Sequence, residues 1–246
     1  MKALESATDI NGVLLVDKPR DWTSHDVCSY IRKRFKIGKV GHAGTLDPLA
    51  TGLLVILLGK ATKLSAQLMV SDKGYAGKMQ LGIMTDSHDL CGAVIEEKPW
   101  RQISEQDLKE AAKKFTGPLM QVPPMVSALK HKGQPLYKLA RAGKTVEREA
   151  REVLVKSFII EAKIENIVSF SVEVSKGTYV RTLIHDLAIS LGSCAALAEL
   201  RRTRSGRFLV ENALSMEKIK SMSLQELEKD ILPMHSILTY ATTHTA

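Results

Sequence analysis

Asp47 is the residue of this chain best placed to do carboxylate chemistry. It lies in Gly41-His42-Ala43-Gly44-Thr45-Leu46-Asp47-Pro48-Leu49-Ala50-Thr51-Gly52, where three glycines and a proline crowd around one aspartate. Gly and Pro impose special backbone angles, so the segment reads as a shaped loop. The apolar run Leu53 to Leu58 that follows reads as a strand buried on both faces. A carboxylate on a loop held by a core strand, with apolar neighbours on both sides, can be kept dry and reactive. The dipeptide Asp47-Pro48 alone signals only a turn. The twelve residues together carry the chemical reading.

Charge is the next signal. The chain of 246 residues has 35 Lys and Arg against 27 Asp and Glu, a net charge of +8. The excess is local. Ile31 to Lys39 holds five basic residues and no acid, and Pro124 to Arg151 holds seven basic residues and two acids. A concentrated basic footprint fits an anionic partner such as nucleic acid. The 124–151 segment, which includes Lys130, Lys138, Arg141, Lys144 and Arg148, has little apolar content and reads as a mobile arm closing on a polyanion. Leu136, Leu139 and Ala140 can anchor one short helix in it, ended by Gly143.

The elements that must position these groups follow in order. Ile10 to Val16 reads as a buried strand. Ser24 reads as the cap of a helix carrying Val27, Tyr30 and Ile31. Lys60 to Met69 has helical spacing, and Tyr75 to Ile83 alternates as a strand. His88 has no ligand-spaced partner and reads as solvated. Ser104 caps a helix to Phe115, with Asp107 three residues on and Leu108, Ala111 and Ala112 inward. Val153 to Ile164 and Ile167 to Ser175 form a hairpin turning at Glu165-Asn166. Arg181 falls in the first turn of the next helix, where the helix dipole disfavours a cation unless an anion accompanies it. A carboxylate or phosphate partner is therefore expected. Ser223 and Glu226 box the start of a last helix, stopped by Pro233.

Cys28, Cys91 and Cys194 form no zinc or C-x-x-C spacing, which places the chain by default in a reducing cytoplasm. No apolar run is long enough to cross a bilayer, and Met1 to Asp9 is no signal peptide. Residues 242–246 read as a disordered tail.

His-x-Gly-x-Leu-Asp-Pro-x-Ala-x-Gly, from His42 to Gly52, resembles the catalytic loop of the TruB-type pseudouridine synthases, which act on the T-loop uridine of tRNA. Further segments resemble motifs of the same family in the same order. They are Asn11-Gly12 with Lys18-Pro19, Ser71-Asp72-Lys73-Gly74-Tyr75, Thr85-Asp86, Pro123-Pro124-Met125-Val126-Ser127-Ala128-Leu129-Lys130, Lys176-Gly177-Thr178-Tyr179-Val180-Arg181, and Leu200-Arg201-Arg202 with Gly206. The resemblance runs from about Asn11 to Pro233.

It implies an α+β fold, a mixed and mostly antiparallel sheet flanked by helices with a basic RNA-binding cleft, and no metal or organic cofactor. Asp47 would be the catalytic residue, acting as nucleophile on the sugar or as base at C2′. His42 would fill the space of the flipped base, and Arg181 would pair with Asp47. Tyr75 would stack on the uracil, Tyr179 and Leu200 would line the pocket, and Lys130 would lie nearby on a thumb-like insertion, 124–151. Family members commonly carry a C-terminal PUA domain. Thirteen residues follow Pro233, so 1–246 reads as a single catalytic domain without a full PUA domain. The implied partner is the tRNA T-stem loop, met by a monomer with no membrane and no obligate protein partner. Two rivals remain. A carboxylate-pair glycosidase needs two facing carboxylates, and the Asp47 loop offers only one. A non-catalytic RNA-binding or tRNA-folding protein could use the same basic surface.

Overall fold

The computed structural model describes residues 9–127 and 129–234, without the side chains of Lys130 and Arg141. The expected tail, 242–246, lies outside the described residues. The chain divides into two compact units. One is built from the chain up to Lys73 together with the chain from Arg201 onward, and the other from Gly74 to Leu200.

The first unit is organised around the strand Thr51–Leu58. From Leu53 to Leu58 no residue is more than 1% exposed, as the unbroken apolar run predicts. The strand Gly12–Lys18 runs antiparallel to it along its whole length, from Gly12 opposite Leu58 to Lys18 opposite Gly52. Val40–His42 pairs with it antiparallel, and Arg201 and Arg202 pair with its first residues in parallel. Gly52 has φ +93°, and a side chain there would collide with the Arg202 backbone. That glycine allows the two strands to meet at the Asp47 loop.

The first helix, Ser24–Arg34, is capped by Thr23 and not by Ser24. The Thr23 hydroxyl accepts from the Asp26 amide at 3.0 Å, and the Asp26 carboxylate accepts from the Thr23 amide at 2.9 Å. A reciprocal box needs an acid or amide three residues on, and only Thr23 has one. The expected helix over Lys60 to Met69 is a 3₁₀ stretch, Gly59–Leu64, followed by a short α-helix, Ser65–Met69. Thr62 donates its hydroxyl to the Gly59 carbonyl at 2.7 Å, a local bond that competes with α-helical pairing. The closing helix Leu224–Lys229 carries the Ser223–Glu226 box as expected.

The second unit carries the strands Gly117–Gln121, Arg151–Ile164 and Ile167–Val174 as an antiparallel set, with Lys73–Leu81 next in order. The hairpin turns at Glu165-Asn166, with Glu165 at φ +53°. Val168, Phe170, Val172 and Val174 are buried, following the alternation of the sequence. The expected strand Tyr75 to Ile83 stops at Leu81 because Gly82 turns at φ +87°. Ile83–Thr85 pairs with Val94–Glu97 instead. The helix Glu105–Lys114, capped by Ser104, packs on Arg151–Ile164 and on the helix Val180–Ser190. The basic segment 124–151 contains the pair Lys130–His131 with Gln134–Pro135 and the helix Leu136–Arg141. No described helix is long and apolar enough to cross a membrane.

Candidate active site

The candidate residues divide between the units. Asp47 and His42 belong to the first; Tyr75, Lys130, Tyr179, Arg181 and Leu200 belong to the second.

The Asp47 loop is held from three sides by groups within its own unit. Beneath it lies Lys18, fully buried, whose ammonium donates to the carbonyls of Trp22 (2.6 Å), Pro19 (2.9 Å) and Pro48 (3.4 Å). Burial pulls the Lys18 pKa down to about 8, and the Asp47 carboxylate is the largest opposing influence. An ammonium and the half-buried carboxylate thus attract each other across the loop. On a second side Arg202, 1% exposed, donates Nε to Leu53 O (2.7 Å), Nη2 to Gly44 O (3.2 Å) and Nη1 to Thr45 O (3.4 Å). On the third, the buried Ser24 hydroxyl accepts from Leu46 N (2.9 Å) and donates to Leu46 O (3.2 Å). The Pro48 carbonyl also accepts from Asp21 N, and the Asp47 carbonyl from Ala50 N.

His42 ends the strand Val40–His42 and is half-buried, with no hydrogen-bond partner on Nδ1. Burial first, then the positive Arg202, holds its pKa below the usual histidine value. It is a flat, neutral ring at neutral pH.

In the second unit Arg181 sits in the first turn of Val180–Ser190, as the sequence places it. A carboxylate beside it is that of Asp89. Nη1 donates to Asp89 Oδ2 at 3.2 Å and to Ser87 O at 3.0 Å, and Nη2 donates to Val126 O at 2.9 Å. Asp89 in turn accepts the Ser87 hydroxyl (2.7 Å) and the Cys91 amide (3.0 Å) on Oδ1. Tyr179, at the N-cap, exchanges two main-chain bonds with the buried Gln121 amide, at 2.8 and 3.1 Å. Tyr75 is half-buried near the start of Lys73–Leu81, and Leu200 is buried in the strand Ala195–Ser205. The Lys130 side chain lies outside the described residues.

His88 is not solvated. Its ring stacks on His185, with centroids 4.0 Å apart and planes 2° from parallel. Both Nδ1 atoms are buried without a hydrogen-bond partner. Burial, then His185, Arg181 and Arg148, push the His88 pKa down to about 4, and burial, then Lys98, lowers that of His185. In the unfolded chain His88 binds a proton at about pH 6.5. Between these values the unfolded state holds more protons, so stability rises with pH across the window and is lost as pH falls. Urea denaturation of His88→Asn is expected to show a flatter dependence than wild type between about pH 6.5 and 4. Equal slopes would rule this out.

Lys18, Ser24, Arg202 and Asp89 carry no chemical signal of their own in the sequence. Lys18 and Arg202 lie in segments that resemble family motifs, and Asp89 lies three residues after Asp86 of another.

The description "TruB family pseudouridylate synthase (N terminal domain)" matches residues 32–180, and "tRNA pseudouridylate synthase B C-terminal domain" matches residues 181–239. The chain belongs to the TruB family of pseudouridylate synthases. It is 44% identical over 232 residues to the tRNA pseudouridine synthase B of Opitutus terrae, covering 94% of this chain and 96% of that one. It is 47% identical over 208 residues to that of Geotalea uraniireducens, covering 85% and 67%. Among solved structures it is similar to a Cbf5-Nop10-Gar1 complex, at 31% identity and a TM-score of 0.69. The match covers 91% of this chain and 60% of that one. These likenesses bear out the mixed, mostly antiparallel pseudouridine synthase fold. In this TruB-family chain the first unit supplies a carboxylate on a clamped loop over an ammonium. The second supplies a buried guanidinium at a helix start.

Proposed function

We propose that this chain converts the T-loop uridine (U55) of tRNA to pseudouridine with Asp47 as its catalytic carboxylate. The observation that carries this reading is the Asp47 loop itself, fixed by Lys18, Ser24 and Arg202 in a chain whose relatives are tRNA pseudouridine synthases. The target base leaves its stack, because no side chain reaches C1′ and C5 inside a folded loop. His42, flat and neutral, occupies the vacated space. Asp47 either attacks C1′ or removes the C2′ proton, and on both routes the C1′–N1 bond breaks. The uracil turns against Tyr75 in a pocket lined by Tyr179 and Leu200. C5 bonds to C1′, which breaks the Asp47–C1′ bond on the first route and is completed by return of the proton to C2′ on the second. C5 loses its hydrogen while N1 gains one, so the atoms balance without a redox partner. Arg181 is the cation paired with Asp47 during these steps.

The 124–151 arm, with Lys130, grips the phosphates of the T-stem loop, and the protein works as a monomer in the cytoplasm. Lys132, Lys138 and Lys144 are exposed on this arm. Replacing all three by alanine is expected to weaken tRNA binding. The slope of log affinity against log salt should fall by up to about 2–3 units, the share of three released counterions. Single-turnover rate at saturating tRNA should be unchanged. An unaltered slope would remove the arm from the RNA interface. The function is tested by tritium release from tRNA transcript labelled at uracil C5. Release at one equivalent per tRNA, lost when U55 is changed to cytidine, supports the reading. Binding without release would favour a tRNA-folding protein.

A further inference from the structure

We infer that Ser24 and Arg202 are positioning residues for the reaction, a two-sided latch that sets the direction of the Asp47 carboxylate. The inference rests on the reading of Asp47 as the catalytic group. The carbonyls of three consecutive residues before Asp47 are all occupied: Gly44 and Thr45 by Arg202, Leu46 by Ser24. Ser24 uses one hydroxyl for both polar main-chain groups of Leu46. The peptide units on both sides of Leu46 are then fixed in rotation, and the second of them carries the Asp47 nitrogen. After Asp47, the Pro48 carbonyl is held by Asp21 N and Lys18. The backbone on both sides of Asp47 is therefore pinned, and the carboxylate keeps only its own side-chain torsions.

The choice of residues supports a role beyond stability. The Arg202 guanidinium donates from Nε, Nη1 and Nη2 to main-chain carbonyls. A guanidinium buried on carbonyls is costly to desolvate, and an apolar side chain would serve packing better. What it adds is a rigid fork that spans from the loop to Leu53, in the first half of the strand Thr51–Leu58. Loops are mobile by default, whereas a reacting group must be held to a fraction of an ångström. The latch ties the loop to the buried strand Thr51–Leu58.

The test compares single-turnover pseudouridine formation at saturating tRNA, tRNA affinity, and amide hydrogen exchange at Leu46. Ser24→Ala and Arg202→Lys are each expected to slow the reaction by roughly 10- to 100-fold, the scale of misplacing a group by about an ångström. Affinity should stay within about twofold. Ser24→Thr, which retains the hydroxyl, should recover most of the rate. Leu46 exchange should rise at least tenfold in Ser24→Ala, about 1.4 kcal/mol of lost protection. Unchanged rates with faster exchange at Leu46 would overturn the inference, as would a rate loss matched by lost affinity. If Ser24→Ala does not fold, Arg202→Lys decides by the same readouts. Failure of the Asp47 reading shows separately, as full activity in Asp47→Asn.

Discussion

Asp47→Asn is expected to abolish C5 tritium release while tRNA binding stays within about threefold of wild type, because RNA affinity comes from phosphate contacts elsewhere. Asparagine matches aspartate in size and removes only the charge and the basicity. The loop's main-chain bonds to Arg202, Ser24, Lys18 and Ala50 do not involve the substituted side chain. What is lost is the group that attacks C1′ or takes the C2′ proton. A positioned base alone is worth about 10²–10⁴ in rate, and a covalent route depends on the nucleophile outright. The single-turnover rate should therefore fall at least about 10³-fold. The measurement is pseudouridine formed per tRNA at enzyme excess, beside a binding titration of the same variant. More than a few per cent of wild-type rate would show that another residue carries the chemistry. Loss of binding in step with rate would point to a structural role.

The sequence made the first unit's centre legible because its signals are local. Gly44, Pro48 and Gly52 mark the loop, and six apolar residues in a row mark the strand behind it. The Ser104–Asp107 and Ser223–Glu226 boxes were equally visible, while at Thr23-Ser24 two good caps stand side by side and the spacing to Asp26 decides. What stayed hidden depends on distant partners. His88 looked solvated because the ring it stacks on is His185, far along the chain. The helix dipole calls for an anion beside Arg181, and Asp89 comes beside it only through the fold. The stretch Leu200 to Arg207 carries four arginines and no acid. In the structure Arg202 points inward to carbonyls, and Arg201 makes a two-pronged pair with Asp17 at 2.7 and 2.9 Å. A net charge cannot distinguish a cation spent inside the fold from one offered to RNA.

Asp89→Ala should strongly destabilise the second unit. The Asp89 and Arg181 side chains are 7% and 4% exposed, and their charges meet at 3.2 Å. Removing one member of a buried pair typically costs about 3–5 kcal/mol, because the other charge stays desolvated. The Ser87 hydroxyl and the Cys91 amide lose their acceptor in the same step. Urea denaturation should report the loss, and Asp89→Asn, which keeps the shape and an acceptor but no charge, should fall between. Catalysis gives a second, separable readout. Arg181 keeps its bonds to Ser87 O and Val126 O in either variant, so the guanidinium is loosened rather than released. If Arg181 orients Asp47 as proposed, Asp89→Asn measured well below its unfolding transition should slow single turnover about tenfold or more, since catalytic geometry tolerates little drift. Weakened stability with full activity would confine Asp89 to folding. Intact stability in Asp89→Ala, with a change under about 1 kcal/mol, would mean that water or another anion replaces the carboxylate beside Arg181.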